Sequence, residues 1–125
     1  ARGHLRGWAV VLPPAHLVGT GGALGAVLRY AVEQYVTVEG YPASTLTVNV
    51  LGTFALAALT FANAGNDAML LFGTGVCGSF TTFSSFSVDV VGLVENERYA
   101  AAAGHALGNL AGAAVGVGLA WLLFA

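Results

Sequence analysis

The sequence predicts an all-α membrane protein with four transmembrane helices, the third of which is interrupted. Of its 125 residues, 57% are hydrophobic and only 8% are charged, whereas a soluble domain carries about 25% charged residues. The charged residues are clustered and leave four apolar stretches, each reaching the roughly 20 residues that a helix needs to cross the hydrocarbon core. Glycine and hydroxyl residues crowd the third stretch and disfavour a continuous helix there. We therefore expect residues 1–125 to form one transmembrane domain.

Prolines and polar turns set the expected limits of the helices. Pro13 and Pro14 break the first apolar run, so the first helix should follow a short amphipathic lead that contains Trp8. Ser44, which comes soon after Pro42, is a suitable N-cap for the second helix. The four spans are expected at about 15–36, 44–62, 68–94 and 99–124.

Composition excludes two classes of site. The four basic residues are all arginines, and with a net charge of −2 they provide no basic patch for nucleic acid. The single cysteine, Cys77, lies within an apolar run. It can form neither an internal disulfide nor a multi-cysteine metal site, and we interpret it as a small buried apolar residue.

The arginines are balanced between the two sides of the membrane. Arg2 and Arg6 lie on the side of the N-terminus, whereas Arg98 and the helix-end Arg29 lie on the other. Positive charge therefore leaves the topology nearly undetermined. Either another signal decides it, or the chain inserts in both orientations, which would allow an antiparallel dimer.

Glycines recur every four residues in two of the helices, which places them on one side of each helix. Such ridges allow the close backbone contact by which membrane helices pack. The repeats are Gly21 and Gly25 in the first helix, where Arg29 continues the same interval, and Gly104, Gly108, Gly112 and Gly116 in the fourth.

Polar tracks run along the second and fourth helices at the same spacing. Polar groups in a bilayer are costly unless they pair with each other or face water. These residues therefore either hydrogen-bond neighbouring helices or face an aqueous path. The tracks are Thr45, Asn49 and Thr53, and His105, Asn109 and Ala113.

The third helix carries the most informative segment, residues 73–87, with three glycines and seven hydroxyl residues. Because this composition favours an interruption, carbonyls around Gly78 and Thr81 could be freed to coordinate a cation. Phe83 and Phe86 are three residues apart and share a helix face. The electropositive edge of an aromatic ring can face an anion.

Residues 21–30, 45–52 and 75–87 resemble the three signature segments of the Fluc/CrcB fluoride channels, and the resemblance extends from about Val18 to the end of the chain. It implies a channel rather than an enzyme. The channel would export fluoride passively across the cell membrane and relieve fluoride toxicity. It would be a dual-topology antiparallel homodimer with two pores along the subunit interface and a central structural sodium ion.

The resemblance also implies roles for individual residues. The carbonyls of Gly78 and Thr81 would hold the sodium ion, and Arg29 would lie near the aqueous entrance. His105 and Asn109 occupy the fourth-helix track, where family members often carry tyrosine and serine, and Ala113 lacks the hydroxyl found there. The fluoride pathway would be lined by Asn49, Thr82, Ser84, Phe83 and Phe86 together with that track.

Two other functions remain open at this point. A small dual-topology drug or cation antiporter would need an acid within the membrane, and Asp89 is the deepest candidate because Glu33 lies near a helix end. A non-conducting partner subunit of a heterodimeric fluoride channel is the other alternative, indicated by Ala113 alone.

Overall fold

The computed structural model describes residues 13–125, where all regular secondary structure is helical. The predicted lead around Trp8, with Arg2 and Arg6, lies outside the described residues. Residues 66–80, named α3 below, combine an α-helical turn at Asn66–Ala68, a π-helix at Met69–Cys77 and another α-helical turn at Gly78–Phe80. The other helices are α1 (Pro14–Tyr35), α2 (Ala43–Phe61), α4 (Phe83–Glu95) and α5 (Tyr99–Phe124).

Three of the four expected spans are both long enough and apolar enough to cross a membrane, namely Ala43–Phe61, Asn66–Glu95 and Tyr99–Phe124. The first helix has the necessary length, with 22 residues. Its glycines and the polar side chains of His16, Arg29 and Glu33 make it less apolar than the others.

The start of α2 differs from the prediction. The helix begins at Ala43, so Ser44 is already a helical residue, and Pro42 occupies the N-cap position without a side-chain hydrogen bond to the helix. The proline lacks a backbone N–H and cannot extend the helix backwards in a regular hydrogen-bonded turn. The loop before α2 is instead held by Arg98, the residue before α5, whose guanidinium donates to the Gly40 carbonyl.

The surface of the subunit is strongly apolar and its core is small. Side chains such as Leu110 and Leu122 are about 70% exposed. An apolar exterior of this extent is suited to lipid and to a partner helix rather than to water. Among the described residues, the buried hydrophobic side chains are only Leu17, Val48, Cys77, Leu93, Ala102 and Ala120.

The glycine ridge of α1 packs directly on the backbone of α3. A Cβ atom on Gly75 would lie 2.8 Å from the Cα atom of Gly21, and one on Gly21 would overlap the carbonyl oxygen of Leu71. Only glycine permits this approach, because the obstacles are backbone atoms that cannot rotate away. The predicted packing role of the first-helix ridge is therefore observed.

We expect Gly21→Ala to separate α1 from α3 and to lower the melting temperature of the purified protein. Overpacking typically costs about 1–3 kcal/mol, and a backbone obstacle places this site at the upper end. Gly22→Ala is the matched control, because a Cβ there meets nothing within 4 Å. Both changes alter helix propensity equally, so equal melting temperatures for the two variants would contradict the packing role.

The glycine ridge of α5 packs on α2 along part of its length only. A Cβ on Gly116 would lie 3.4 Å from the carbonyl oxygen of Val50, and one on Gly112 would overlap the Val50 side chain. Gly104, by contrast, faces open space. The spacing thus identified the contact face correctly, but the contact does not include the first turn of the ridge.

The third span is interrupted between Phe80 and Phe83. Thr81 and Thr82 both adopt extended backbone angles, with ψ values of 160° and 123°. Upstream, the π-helical stretch ends in a bond from the Gly78 N–H to the Gly73 carbonyl. The interruption expected from the glycine and hydroxyl content therefore occurs at the two threonines.

Candidate functional site

The helix interruption is closed locally by hydroxyl groups. Thr82 Oγ1 accepts a hydrogen bond of 3.1 Å from the Ser85 N–H, which makes Thr82 the N-cap of α4. Thr81 and Ser79 donate to carbonyls four residues earlier, at 3.0 Å each. These hydroxyls stabilise the helix ends on the two sides of the break, and each one is hydrogen-bonded to the backbone.

Asn49 on α2 bridges the interruption from outside. Its Oδ1 accepts from the Thr82 N–H at 2.8 Å, and its Nδ2 donates to the Thr82 carbonyl at 3.1 Å. The break leaves the N–H and the C=O of Thr82 without partners in a helix, and the side-chain amide of Asn49 supplies a hydrogen-bond partner to each. We call this pair of bonds the Asn49 clip.

A chain of polar contacts extends from the Asn49 clip across α5 to α4. Asn49 Nδ2 also donates to Asn109 Oδ1 at 3.0 Å. Asn109 Nδ2 donates to the His105 carbonyl at 2.8 Å and lies 3.3 Å from His105 Nδ1. At the far end, His105 Nε2 lies 3.5 Å from Asp89 Oδ2, and neither atom forms a hydrogen bond with residues 13–125.

His105, which lies between Asn109 and Asp89 in this series of polar contacts, is fully buried. Its ring meets Tyr41 edge-on at a centroid distance of 5.5 Å and Phe86 at 5.3 Å. The Asp89 carboxylate, with its side chain 24% exposed, is the charged group that faces it. The imidazole therefore has two aromatic neighbours and a polar atom near each ring nitrogen.

An open groove of about 650 Å³ lies beside the interruption. The part of its wall around the break includes Asn49, Gly78, Thr81, Thr82 and Asn109, and Phe83 and Phe86 form the aromatic part. Thr53 and Thr74 also line the groove.

The two phenylalanines differ in their surroundings. Phe83 is 79% exposed, whereas Phe86 is half-buried between the groove and His105. Their ring centroids are 5.9 Å apart and the ring planes are tilted by 42°. The two rings thus lie side by side at the edge of the groove.

The carbonyls of Gly78 and Thr81 are available to a cation. Within the described residues, neither oxygen accepts a hydrogen bond from the backbone or from a side chain. Unpaired carbonyls at the end of a helix carry the negative end of its dipole, which favours a positive ion. A Cβ on Gly78 would meet nothing within 4 Å, so the backbone there is open to a ligand or a second subunit.

The structure does not bring every predicted site residue to the groove. Arg29 lies half-buried on α1, which packs against α3 away from the groove. His105 is buried behind Phe86, and Ser84 is exposed with its hydroxyl 3.3 Å from Thr82 Oγ1. The remaining predicted residues, Asn49, Gly78, Thr81, Thr82, Phe83, Phe86 and Asn109, all line the groove.

Sequence reasoning missed two features of this site. The contact of Asp89 with His105 joins residues on different helices, and only the tertiary structure reveals it. Thr74 lines the groove beside Thr53, and the hydroxyls of both threonines form no hydrogen bond with any described residue. Thr53 belongs to the predicted polar track through Asn49, whereas Thr74 was not singled out.

The fold and site define a small multi-pass membrane protein with a clipped helix break beside an open groove. The sequence profile described as CrcB-like protein, Camphor Resistance (CrcB), matches residues 16–122. The chain belongs to the CrcB family, a family of ion channels and not of enzymes.

Several relatives are similar over nearly their whole length. A protein of Halobacterium salinarum, named fluoride-specific ion channel FluC 1, is 67% identical over 115 residues, covering 92% of this chain and 97% of the relative. A protein of Haloarcula marismortui, named fluoride-specific ion channel FluC 2, is 59% identical, covering 90% and 94%. A protein of Methanosarcina barkeri, also named fluoride-specific ion channel FluC 1, is 42% identical, covering 85% and 92%.

Proposed function

We propose that this chain forms a fluoride-selective channel that exports fluoride across the cell membrane and relieves fluoride toxicity. The relatives named as fluoride-specific channels support this function. The observation that carries it is the groove beside the helix break, where two phenylalanine rings face polar side chains at membrane depth. This wall combines an apolar environment with positively polarised donors.

Fluoride is small and strongly hydrated, so a selective pathway has to replace its water with close donors that bind weakly enough for release. In the groove, the free hydroxyls of Thr53 and Thr74 and the ring edges of Phe83 and Phe86 are groups of this kind. Both amide hydrogens of Asn49 are engaged by Thr82 and Asn109. We therefore infer that Asn49 shapes the pathway wall, while the two threonines and the aromatic edges face the anion.

A structural sodium ion fits the end of α3. The carbonyl oxygens of Gly78 and Thr81 are hard oxygen ligands that accept no hydrogen bond from residues 13–125, as suits an alkali cation. When bound, the ion would neutralise the negative helix end and hold the two halves of the span together. Two carbonyls are too few to complete a coordination shell, which favours a second subunit as the source of the others.

We further propose that the subunit crosses the membrane four times, with α1 as the first span, and pairs with an antiparallel copy of itself. The length of α1 and the balanced arginines support this arrangement. The groove is open, and Gly78 and Phe83 at its edge are exposed. A partner subunit covering this face would enclose the pathway and contribute further carbonyls to the sodium site.

Fluoride efflux from liposomes that contain this chain alone tests the function. A fluoride channel releases fluoride rapidly without a proton gradient, and chloride does not replace it. An antiporter would instead need a proton or cation gradient, and a non-conducting partner subunit would give no efflux until a homologue is added. The position of Asp89, which faces His105 and is not among the groove residues, weighs against the antiporter.

We expect the chain to insert in both orientations and its dimer to depend on sodium. Gly65 lies in the exposed turn before α3 and has open space around it, so Gly65→Cys in a Cys77→Ala background offers a labelling site. Membrane-impermeant thiol reagents added from each side should label about half of the molecules, as an antiparallel pair requires. Labelling from one side only would contradict dual topology.

The dependence of the dimer on sodium is measured separately, by comparing its stability in sodium and in N-methylglucamine. Equal stability in the two cations would contradict the sodium site.

A further inference from the structure

We propose that Gly25 and Ser79 are positioning residues for the proposed sodium site, because together they stabilise the π-helical turn that ends at Gly78. The inference rests on the proposed function and concerns what fixes the direction of the two carbonyls that would bind the ion. It starts from the π-helix Met69–Cys77, since π-helical turns are rare and occur frequently at functional sites. The contacts of this helix with α1 explain why the chain adopts it.

The first helix, α1, contacts the π-helix at two carbonyl groups. A Cβ atom on Gly21 would overlap the Leu71 carbonyl oxygen, and one on Gly25 would overlap the Val76 carbonyl oxygen. In each glycine, the hydrogen that a Cβ would replace is therefore directed at a carbonyl, which is a weak contact that recurs between packed helices. The two glycines are four residues apart along α1, whereas the two carbonyls are five residues apart along α3.

This difference in spacing fits a π-helix and not an α-helix. In an α-helix, residues five apart differ by about 140° in direction around the axis, so the two carbonyls could not both face α1. In a π-helix, residues five apart are joined by a hydrogen bond and lie in successive turns, as residues four apart do in α1. The glycines of α1 therefore favour the π-helical form of α3.

Ser79 stabilises the same turn from within α3. Its hydroxyl donates to the Gly75 carbonyl at 3.0 Å and lies 3.3 Å from the carbonyl oxygen of Val76, the carbonyl that faces Gly25. A Cβ on Gly25 would overlap this hydroxyl as well. The absence of a side chain at position 25 thus makes room for both the carbonyl and the hydroxyl.

The end of this turn determines the direction of the carbonyls at the break. The Gly78 N–H is bonded to the Gly73 carbonyl, five residues earlier, and the helix ends at Phe80. Each residue of an α-helix turns the chain by about 100°. A return of α3 to α-helical bonds would therefore rotate Gly78 and Thr81 about the helix axis relative to α1 and change the direction of both carbonyl oxygens. The glycine of α1 and the serine of α3 act on the sodium site through this turn.

The test measures the melting temperature of the purified protein at increasing sodium concentration, with N-methylglucamine keeping the ionic strength constant. An ion that binds the folded state raises the melting temperature once its concentration exceeds its dissociation constant. We expect Ser79→Ala and Gly25→Ala each to increase the sodium concentration required by about tenfold, equivalent to about 1.4 kcal/mol in binding free energy. A change in packing alone would lower the melting temperature at every sodium concentration and leave this requirement unchanged.

Two matched variants control for the substitutions. Ser87→Ala removes a hydroxyl of α4 that donates to the carbonyl four residues earlier at 3.0 Å. Gly22→Ala adds the same methyl group to α1 at a position where a Cβ meets nothing within 4 Å. Both variants should keep the sodium requirement of the unaltered chain. Ser79→Ala adds no atom to the protein and remains decisive if Gly25→Ala does not fold.

An unchanged sodium requirement in Ser79→Ala would overturn the proposal, as would an equal increase in Ser87→Ala. If the melting temperature of the unaltered chain does not respond to sodium, the proposal is overturned together with the sodium site. Absence of fluoride efflux from liposomes, with the sodium response intact, would refute the channel function instead.

Discussion

Asn49→Asp should open the helix break and remove most of the fluoride efflux. The new carboxylate can still accept from the Thr82 N–H, but its second oxygen replaces a donor that lies 3.1 Å from one oxygen and 3.0 Å from another. Three acceptors then converge without a hydrogen between them. Leaving a buried group unpaired costs roughly 1–3 kcal/mol, compared with about 0.6 kcal/mol for an average interhelical hydrogen bond in a membrane protein.

The upper part of that range applies because Thr82 is only 9% exposed and the break offers its backbone no alternative partner. Thermal unfolding in detergent and liposome efflux provide the measurements. Thr53→Val is the matched control for stability, since Thr53 lies one turn away on α2, lines the same groove and has no side-chain hydrogen bond to the described part of the chain. An Asn49→Asp protein that melts and conducts like the unaltered chain would show that the clip contributes no stability.

Phe86→Ile should slow fluoride efflux by about tenfold or more, which corresponds to about 1.4 kcal/mol or more in the barrier. The substitution keeps an apolar side chain beside the groove but removes the electropositive ring edge and the contact with His105, whose ring centroid is 5.3 Å away. Aromatic pairs contribute about 0.5–1.5 kcal/mol beyond their buried area, so the fold should survive. Size-exclusion chromatography checks that the variant keeps the assembly state of the unaltered chain.

Phe124→Ile controls for the loss of an aromatic pair elsewhere in the subunit. Phe124 meets Phe54 at a centroid distance of 6.4 Å and is not among the groove residues. Efflux through this variant should remain close to that of the unaltered chain. If both substitutions slow efflux equally, the effect of Phe86→Ile is one of general packing. An unchanged efflux rate in Phe86→Ile would show that the ring does not line the proposed fluoride pathway.

Composition and local propensity determined the overall character of the protein. An 8% charged content cannot cover a soluble surface, so the apolar helices were predictable from the sequence. Glycines alone leave α1 and α5 unbroken, and it is the combination of glycine and hydroxyl residues in 73–87 that indicated the interruption observed at Thr81 and Thr82. The spacing of Gly21 and Gly25 likewise identified the face of α1 that packs on α3.

The pairing of polar side chains was decided by the tertiary structure. The Asn49 clip joins residues 33 positions apart, and the Asp89–His105 contact joins two helices. The spacing of Asn49 and His105 placed each on a helix face but did not specify its partner on another segment, Thr82 for Asn49 and Asp89 for His105. The resemblance implied that Arg29 lies near the aqueous entrance, and this stays a prediction; the packing of α1 on α3 leaves Arg29 outside the groove wall. Partner choice depends on how the helices approach and rotate against one another, and that geometry comes from the packing of the whole bundle.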